Sequence, residues 1–401
     1  MKSLRKYLDR IKPNFESGGK LHAFRSVFDG FETFLFTPRS TSASGVHIHD
    51  SIDSKRTMII VVLALLPCFF FGMYNTGYQH WLAAGETQFP FWELVLYGFL
   101  AVLPKLVVAY AVGLGIEFIV AQWRNEEIQE GFLVSGILIP LICPIETPVW
   151  MIAIATAFSV IFAKEVFGGT GFNIFNPALI TRAFLFFAYP AQMSGDNVFV
   201  ATGPVLGVGH QVADGFTGAT PLGQVATCTG GDLSVTGITG NPISTWDAFI
   251  GLIPGSFGET STLCILIGAA ILLVSGIASW RVMLSVFAGG ALMAWLANTC
   301  QTPVYPASML SPIDQLMLGG FAFAAVFMAT DPVTGARTNT GKYIYGFMIG
   351  VMAILIRTYN TGYPEGAMLA ILLMNAFAPL IDYCVVQSNI RRRMRRAKVK
   401  A

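Results

Sequence analysis

Residues 91–122 read FWELVLYGFLAVLPKLVVAYAVGLGIEFIVAQ, an apolar run broken by only three charges, Glu93, Lys105 and Glu117. About 20 such residues cross the hydrocarbon core of a bilayer as a helix. An outer-membrane barrel strand would alternate apolar and polar residues, and this run does not. Nine further apolar segments flank it, at 57–76, 131–143, 148–166, 176–190, 262–279, 281–300, 314–330, 341–358 and 365–388. The spacing predicts an all-α polytopic membrane protein with about ten transmembrane helices.

Composition agrees. Of 401 residues, 54% are apolar and 12% charged, and the mean hydropathy is +0.61. Soluble domains are nearer 25% charged. An ordinary cytosolic enzyme, a disordered protein and a nucleic-acid binder are excluded. The start, Met1 to Phe15, has charges throughout and no apolar core, so it does not read as a cleaved signal peptide.

The placement of charge carries more than its net value of +2. Of 25 Lys and Arg, ten lie in 1–56 and seven in 391–400, and none lies between Arg182 and Arg281. Basic residues near spans stay in the cytoplasm. Both termini are therefore expected inside, with an even number of spans and the 191–245 region on the far side. Within the arm, Leu4, Tyr7, Leu8 and Ile11 recur at helical spacing among basic residues, which suits a surface helix as well as a solvated tail.

Segments 131–143 and 176–190 are short, and Pro140, Pro144 and Pro148 interrupt the chain between the third and fourth segments. Broken or half helices are expected there, since irregular backbone at membrane depth needs protein or a cavity around it. A weak repeat is visible. Gly131-Phe132 opens a short run, a break, a helix, a Gly/Asn loop and a helix ending at Pro190. Gly320-Phe321 opens the same order, ending at Pro379, and in each stretch the final Pro lies 59 positions after the Gly. Two inverted five-helix repeats follow as an expectation. The chain then divides into an arm (1–56), a first repeat (57–190), an excursion with an interfacial segment (191–261), a second repeat (262–389) and a basic tail (390–401).

Six cysteines form no CxxC pair, so iron–sulfur or zinc ligation by this chain alone is not expected. His47 and His49 lack a third ligand nearby. P-loops, GxGxxG after a strand and Ser/His/Asp patterns are absent.

The excursion holds Asp214-Gly215-Phe216-Thr217-Gly218-Ala219-Thr220-Pro221. Read physically, this is a flexible turn that presents a hydroxyl. Pro221 holds Thr220 extended. Elsewhere, Asn176 before Pro177 reads as a helix N-cap with Pro at the first position. Glu117, Asp331, Asp382 and Lys105 are ionisable residues in or beside apolar segments, which are functional candidates by default. Solvation at an interface is the plainer reading for the three acids.

The motif is similar to the flavin-attachment motif of the sodium-translocating NADH:quinone oxidoreductases. The surrounding chain resembles the B subunit of that family nearly end to end. The matching stretches include Lys164–Gly171, Asn176–Leu179, Arg182–Pro190, Phe327–Pro332 and Tyr363–Gly366. The resemblance implies FMN joined to Thr220 by a phosphoester, within the motif Asp214, Thr217, Gly218, Ala219 and Thr220. The family often has Ser at the position of Thr217. Asn173 and Asn176 match positions that bind riboflavin. Gly113 matches a position linked to the quinone pocket, where a close helix contact is the alternative. The arm, with aromatics at 24, 28, 31, 34 and 36, is part of that pocket in the family. Glu117, Asp331 and Asp382 match acids implicated in sodium transfer, and Asp29 matches another.

With no NADH site visible, NADH oxidation falls to a partner. The resemblance implies a six-subunit complex with partners A, C, D, E and F, in a bacterial inner membrane, passing electrons to ubiquinone or menaquinone while Na⁺ crosses. The D subunit of the related ferredoxin-linked complex shares the motif and span pattern. The long arm and basic tail favour the sodium-translocating family. A ten-span secondary transporter also fits composition and repeat, and only the flavin loop argues against it.

Overall fold

The computed structural model describes residues 2–15, 19, 21, 24–36, 44–46, 54–86, 88–124, 131–194, 198–212, 216–228, 235–302, 304–360 and 362–400. Two short helices, α1 (Lys2–Ile11) and α2 (Arg25–Leu35), form the arm. Phe15 stacks on Phe28 with ring centroids 4.6 Å apart, and Lys12 pairs with Glu32 at 2.7 Å.

The apolar segments become helices: α3 (Ser54–Ala83), α4 (Phe91–Arg124), α5 (Phe132–Ile142), α6 (Val149–Ser159), α7 (Pro177–Ala188), α11 (Thr262–Val274), α12 (Trp280–Thr299), α15 (Asn339–Tyr359) and α16 (Ala367–Lys400). Between α7 and α11 lie α8 (Ala191–Ser194), α9 (Pro221–Thr227) and α10 (Thr245–Ile250). The segment expected at 314–330 is broken into α13 (Pro312–Met317) and α14 (Phe321–Phe323), which continues as a π-turn over Ala324–Met328. Among the described residues there are no strands, only two isolated bridges. Among the described residues six helices are long and apolar enough to cross a membrane, and α5, α7 and α11 are shorter apolar helices.

Close backbone contacts hold the bundle. With no hydrophobic drive between helices in lipid, small residues at the crossings supply the packing. A Cβ at Gly350 of α15 would lie 2.1 Å from the Val286 carbonyl of α12, and one at Gly98 of α4 would lie 1.9 Å from the Met73 carbonyl of α3. The 34 residues of α16 extend about 51 Å at 1.5 Å per residue. That exceeds a hydrocarbon core of about 30 Å, so its Arg-rich end projects beyond the apolar layer.

Two half-length elements meet end to end. The C-terminal end of α5 leaves carbonyls that its own helix cannot satisfy. The turn preceding α11 supplies partners: Gly258 N–H donates to Leu141 O at 2.8 Å, and Phe257 N–H to Cys143 O at 3.5 Å. Arg182 of α7 donates to Ile142 O. Lys105 of α4 donates to Pro144 O and Ile145 O, which accounts for a buried cation that sequence alone leaves without a role.

The stretch from Gly131 to Pro190 and the stretch from Gly320 to Pro379 have the same element order: short helix, break, long helix, loop, helix. Each also contains a π-turn, at Val160–Lys164 following α6 and at Ala324–Met328. Such turns disrupt the regular backbone ladder and recur at functional sites.

Candidate functional site

Two cavities hold four of the residues that the sequence singles out: Asn173, Asn176 and Asp331 line one and Thr220 the other. The larger encloses about 90 Å³. Asn173, Asn176, Lys164, Asp331 and Thr170 line it together with apolar residues of α5 and α11.

Asn176 sits where the sequence reading puts an N-cap. Its Oδ1 accepts from Ala178 N–H at 2.9 Å, and Pro177 opens α7. Its Nδ2 donates to Asp331 Oδ2 at 3.1 Å. Asn173 shapes the preceding loop: its Nδ2 donates to Phe175 O at 3.0 Å and its Oδ1 accepts from Gly171 N–H at 3.3 Å. An amide nitrogen carries two hydrogens, so each side chain keeps one for a ligand edge in the cavity.

Asp331 lies three residues beyond the end of the π-turn. Val333 N–H donates to its Oδ1 at 2.9 Å and Thr334 Oγ1 to its Oδ2 at 3.2 Å. Burial pushes its carboxyl above the ordinary range, opposed by those donors and Asn176. Lys164, also on the cavity wall, forms an ion pair with Glu117 of α4; both side chains are at most 4% exposed. Asn173, Asn176, Asp331 and, through Lys164, Glu117 therefore belong to one neighbourhood.

The other sequence candidates lie elsewhere. Asp382 of α16 accepts from Arg337 N–H at 2.7 Å, Thr338 N–H at 3.0 Å and Thr338 Oγ1 at 2.5 Å, and so anchors the start of α15. Asp29 is on α2, 3.5 Å from Arg25. The face of Gly113 is filled: a Cβ there would lie 2.0 Å from the ring of Phe132. Among the described residues no group of three or more His, Cys, Asp or Glu could hold a metal ion. Asp214, His47 and His49 lie outside the described residues.

The second cavity encloses about 30 Å³ and is lined by Thr220, Ser256, Glu259, Gly320 and Glu365, among others. Thr220 is half-buried, and its Oγ1 accepts from Gly223 N–H at 3.1 Å, capping α9. Thr217 is exposed, Gly218 buried and Ala219 half-buried. Gln224, which sequence reasoning passes over, fixes the motif. Its Nε2 donates to Ala219 O at 3.1 Å and Thr236 O at 2.8 Å, and its Oε1 accepts from Thr236 N–H at 2.9 Å.

Behind this cavity stands a cluster that the sequence reading also missed. Arg182 pairs with Glu259 at 3.3 Å and with Glu365. Arg357 donates to Glu365 O at 3.2 Å, to Gly319 O at 3.3 Å and to Gln315 O. The available signal was isolation: lone charges inside long uncharged stretches demand partners. Among the described residues no side chain lines both cavities.

The chain is similar to known proteins over nearly its whole length. A model of the NQR2, RnfD, RnfE family matches residues 41–391. The chain is 46% identical to the B subunit of the Na(+)-translocating NADH-quinone reductase of Chromohalobacter salexigens, over 98% of this chain and 96% of the relative. It is 44% identical to the B subunits of the reductases of the same name from Ectopseudomonas mendocina and Klebsiella pneumoniae, each over 98% of this chain and 99% of the relative.

Proposed function

The chain belongs to the NQR2, RnfD, RnfE family, and we propose that it is the membrane subunit of a sodium-pumping NADH:quinone reductase that holds FMN on Thr220 and riboflavin beside Asn173 and Asn176. The observation that carries this reading is the state of the Thr220 hydroxyl. It is half-buried, faces a cavity and is already oriented by the Gly223 N–H. An ester oxygen still accepts a hydrogen bond, so attachment leaves the cap of α9 in place.

A flavin at each cavity would supply stepwise electron transfer, with its potential tuned by nearby hydrogen bonds and charge. The chain's own contribution is positional. Gln224 and Val200 hold the Thr217–Thr220 segment, with a Cβ at Gly218 only 2.7 Å from Val200 Cγ2. The Arg182–Glu259–Glu365 cluster supports the floor of the same cavity. At the larger cavity, Asn173 and Asn176 offer amide N–H groups, and Asp331 and the Lys164–Glu117 pair supply charge.

Sodium is the cargo. Half-buried Asp331 lines the larger cavity and buried Glu117 pairs with Lys164 on its wall, and hard carboxylate oxygens suit a hard cation. In this reading a passing ion competes with Lys164 for Glu117. Asp382 and Asp29 line the approach, and the region of Gly113 with the arm meets the quinone. The two stretches of matching element order form inverted repeats, with both termini on the cytoplasmic side of a bacterial inner membrane. NADH is oxidised on another of the complex's six subunits.

The test is the purified complex assayed for NADH-driven quinone reduction in NaCl, LiCl and KCl. Stimulation by Na⁺ over K⁺ is expected. Equal rates in all three salts would remove sodium from the proposal.

A further inference from the structure

A buried polar cluster used by neither cavity surrounds His80, near the end of α3. His80 is 0% exposed. Its ring stacks on Tyr97 of α4, with centroids 4.2 Å apart and planes at 14°. Trp81 stands edge-on to both rings, at 5.4 and 5.6 Å.

The hydrogen bonds fix one form of the imidazole. Nδ1 lies 2.6 Å from Ala201 O. A carbonyl only accepts, so Nδ1 carries the proton. Nε2 is then a lone pair, and it accepts from His210 N–H at 3.0 Å. One neutral ring thus ties together two backbone points nine residues apart in the loop, Ala201 and His210.

Neighbours reinforce the tie. Tyr97 Oη donates to Gly203 O at 2.7 Å. Glu146, in the break after α5, accepts from Thr202 N–H at 2.9 Å and donates its own N–H to Val198 O at 3.0 Å. Gly209 has φ +97°, and a Cβ on it would lie 2.5 Å from the Tyr97 ring and 2.8 Å from His80 Nε2. Only glycine allows that conformation and that approach. The 198–212 loop is therefore seated on α3 and α4 through its backbone.

The seating reaches the flavin motif. Val200 belongs to this loop and touches Gly218, two residues before Thr220. We propose that His80 is a positioning residue for the Thr220 attachment segment. Its neutral imidazole clamps residues 198–212, and Val200 passes that placement to Gly218. This rests on the reading of Thr220 as a flavin anchor.

The experiment uses the whole complex with two measurements, covalent flavin per chain by fluorescence of the denatured polypeptide, and maleimide labelling of Val212→Cys. Val212 is buried at 4% exposure under the clamp. His80→Phe keeps a flat ring and loses both hydrogen bonds. Labelling should accelerate by about tenfold and flavin content should fall by about tenfold, from loss of two bonds at buried groups. His80→Gln, which restores a donor or acceptor, should recover about half of each. Should His80→Phe fail to assemble, Tyr97→Phe carries the same test, because it keeps the stack and removes the bond to Gly203 O together with the 3.2 Å contact to His80 Nδ1. Unchanged labelling overturns the clamp. Faster labelling with full flavin content overturns the positioning role. A parent chain without covalent flavin defeats the functional reading alone, and labelling still decides the clamp.

Discussion

Asn176 Nδ2 donates to Asp331 Oδ2 at 3.1 Å, joining the loop before α7 to the turn that follows the π-turn, 155 residues away in sequence. One amide thus caps a helix with its oxygen and holds a carboxylate with its nitrogen, on the wall of the larger cavity.

Replacing Asn176 separates these duties. Asn176→Ala removes the cap, at a cost of about 1 kcal/mol, and takes a donor from Asp331. Asn176→Asp keeps a good cap but sets a second carboxylate against Asp331. Asp331 already has a raised pKa from burial. A folded-state pKa above the unfolded one means that the native chain binds more protons, so stability falls as pH rises through the folded value. The second carboxylate strengthens that trend. Thermal unfolding of the solubilised complex should show Asn176→Asp near the parent at about pH 5 and clearly weaker at about pH 8. A pH-independent deficit would contradict this.

The Glu117–Lys164 pair is buried on both sides. Removing one partner strands a charge, at a cost of roughly 3–5 kcal/mol. Glu117→Leu or Lys164→Met alone should lower thermal stability sharply, and the double variant Glu117→Leu with Lys164→Met should regain most of it. The double variant should still lose Na⁺ stimulation. Additive losses in the cycle would argue against a direct pair.

Gly113→Ala would press a methyl into the Phe132 ring, 2.0 Å from the ideal Cβ. Overpacking of this kind costs about 1–3 kcal/mol. Phe132→Leu in the same chain should relieve it. The quinone KM then separates the two readings of Gly113. If the double variant regains stability but keeps a raised KM, the glycine faces quinone as well as Phe132.

Thr220→Ser keeps an oxygen for both the Gly223 bond and the phosphoester, so covalent flavin should persist. Thr220→Ala loses both the flavin and a cap worth about 1 kcal/mol. Flavin fluorescence on a denatured Thr220→Ala chain would move the attachment to another residue.

The helices were legible because apolar runs dictate them, and the Asn176 cap because Asn-Pro at a helix start has a local cause. Local pattern is silent on what lies far along the chain. Nothing near Lys105 announces Pro144 O and Ile145 O, and nothing near Arg182 announces Glu259 and Glu365. Gly113 carried two readings that sequence could not separate, and the Phe132 ring shows the helix contact to be real. His80 was passed over because its partners are backbone atoms of a loop 121 and 130 residues away. The broken segment at 312–328 reads as one apolar run because Gly319 and Gly320, both at positive φ, interrupt the helix without interrupting the hydropathy.

The most direct test is mass spectrometry of the chain purified from its native host and cleaved with chymotrypsin, since trypsin has no site between Arg182 and Arg281. The account predicts a peptide containing Thr220 heavier by FMN less one water, with fragmentation assigning the addition to that residue. The same peptide found wholly at its unmodified mass, in a complex that still reduces quinone, would contradict it.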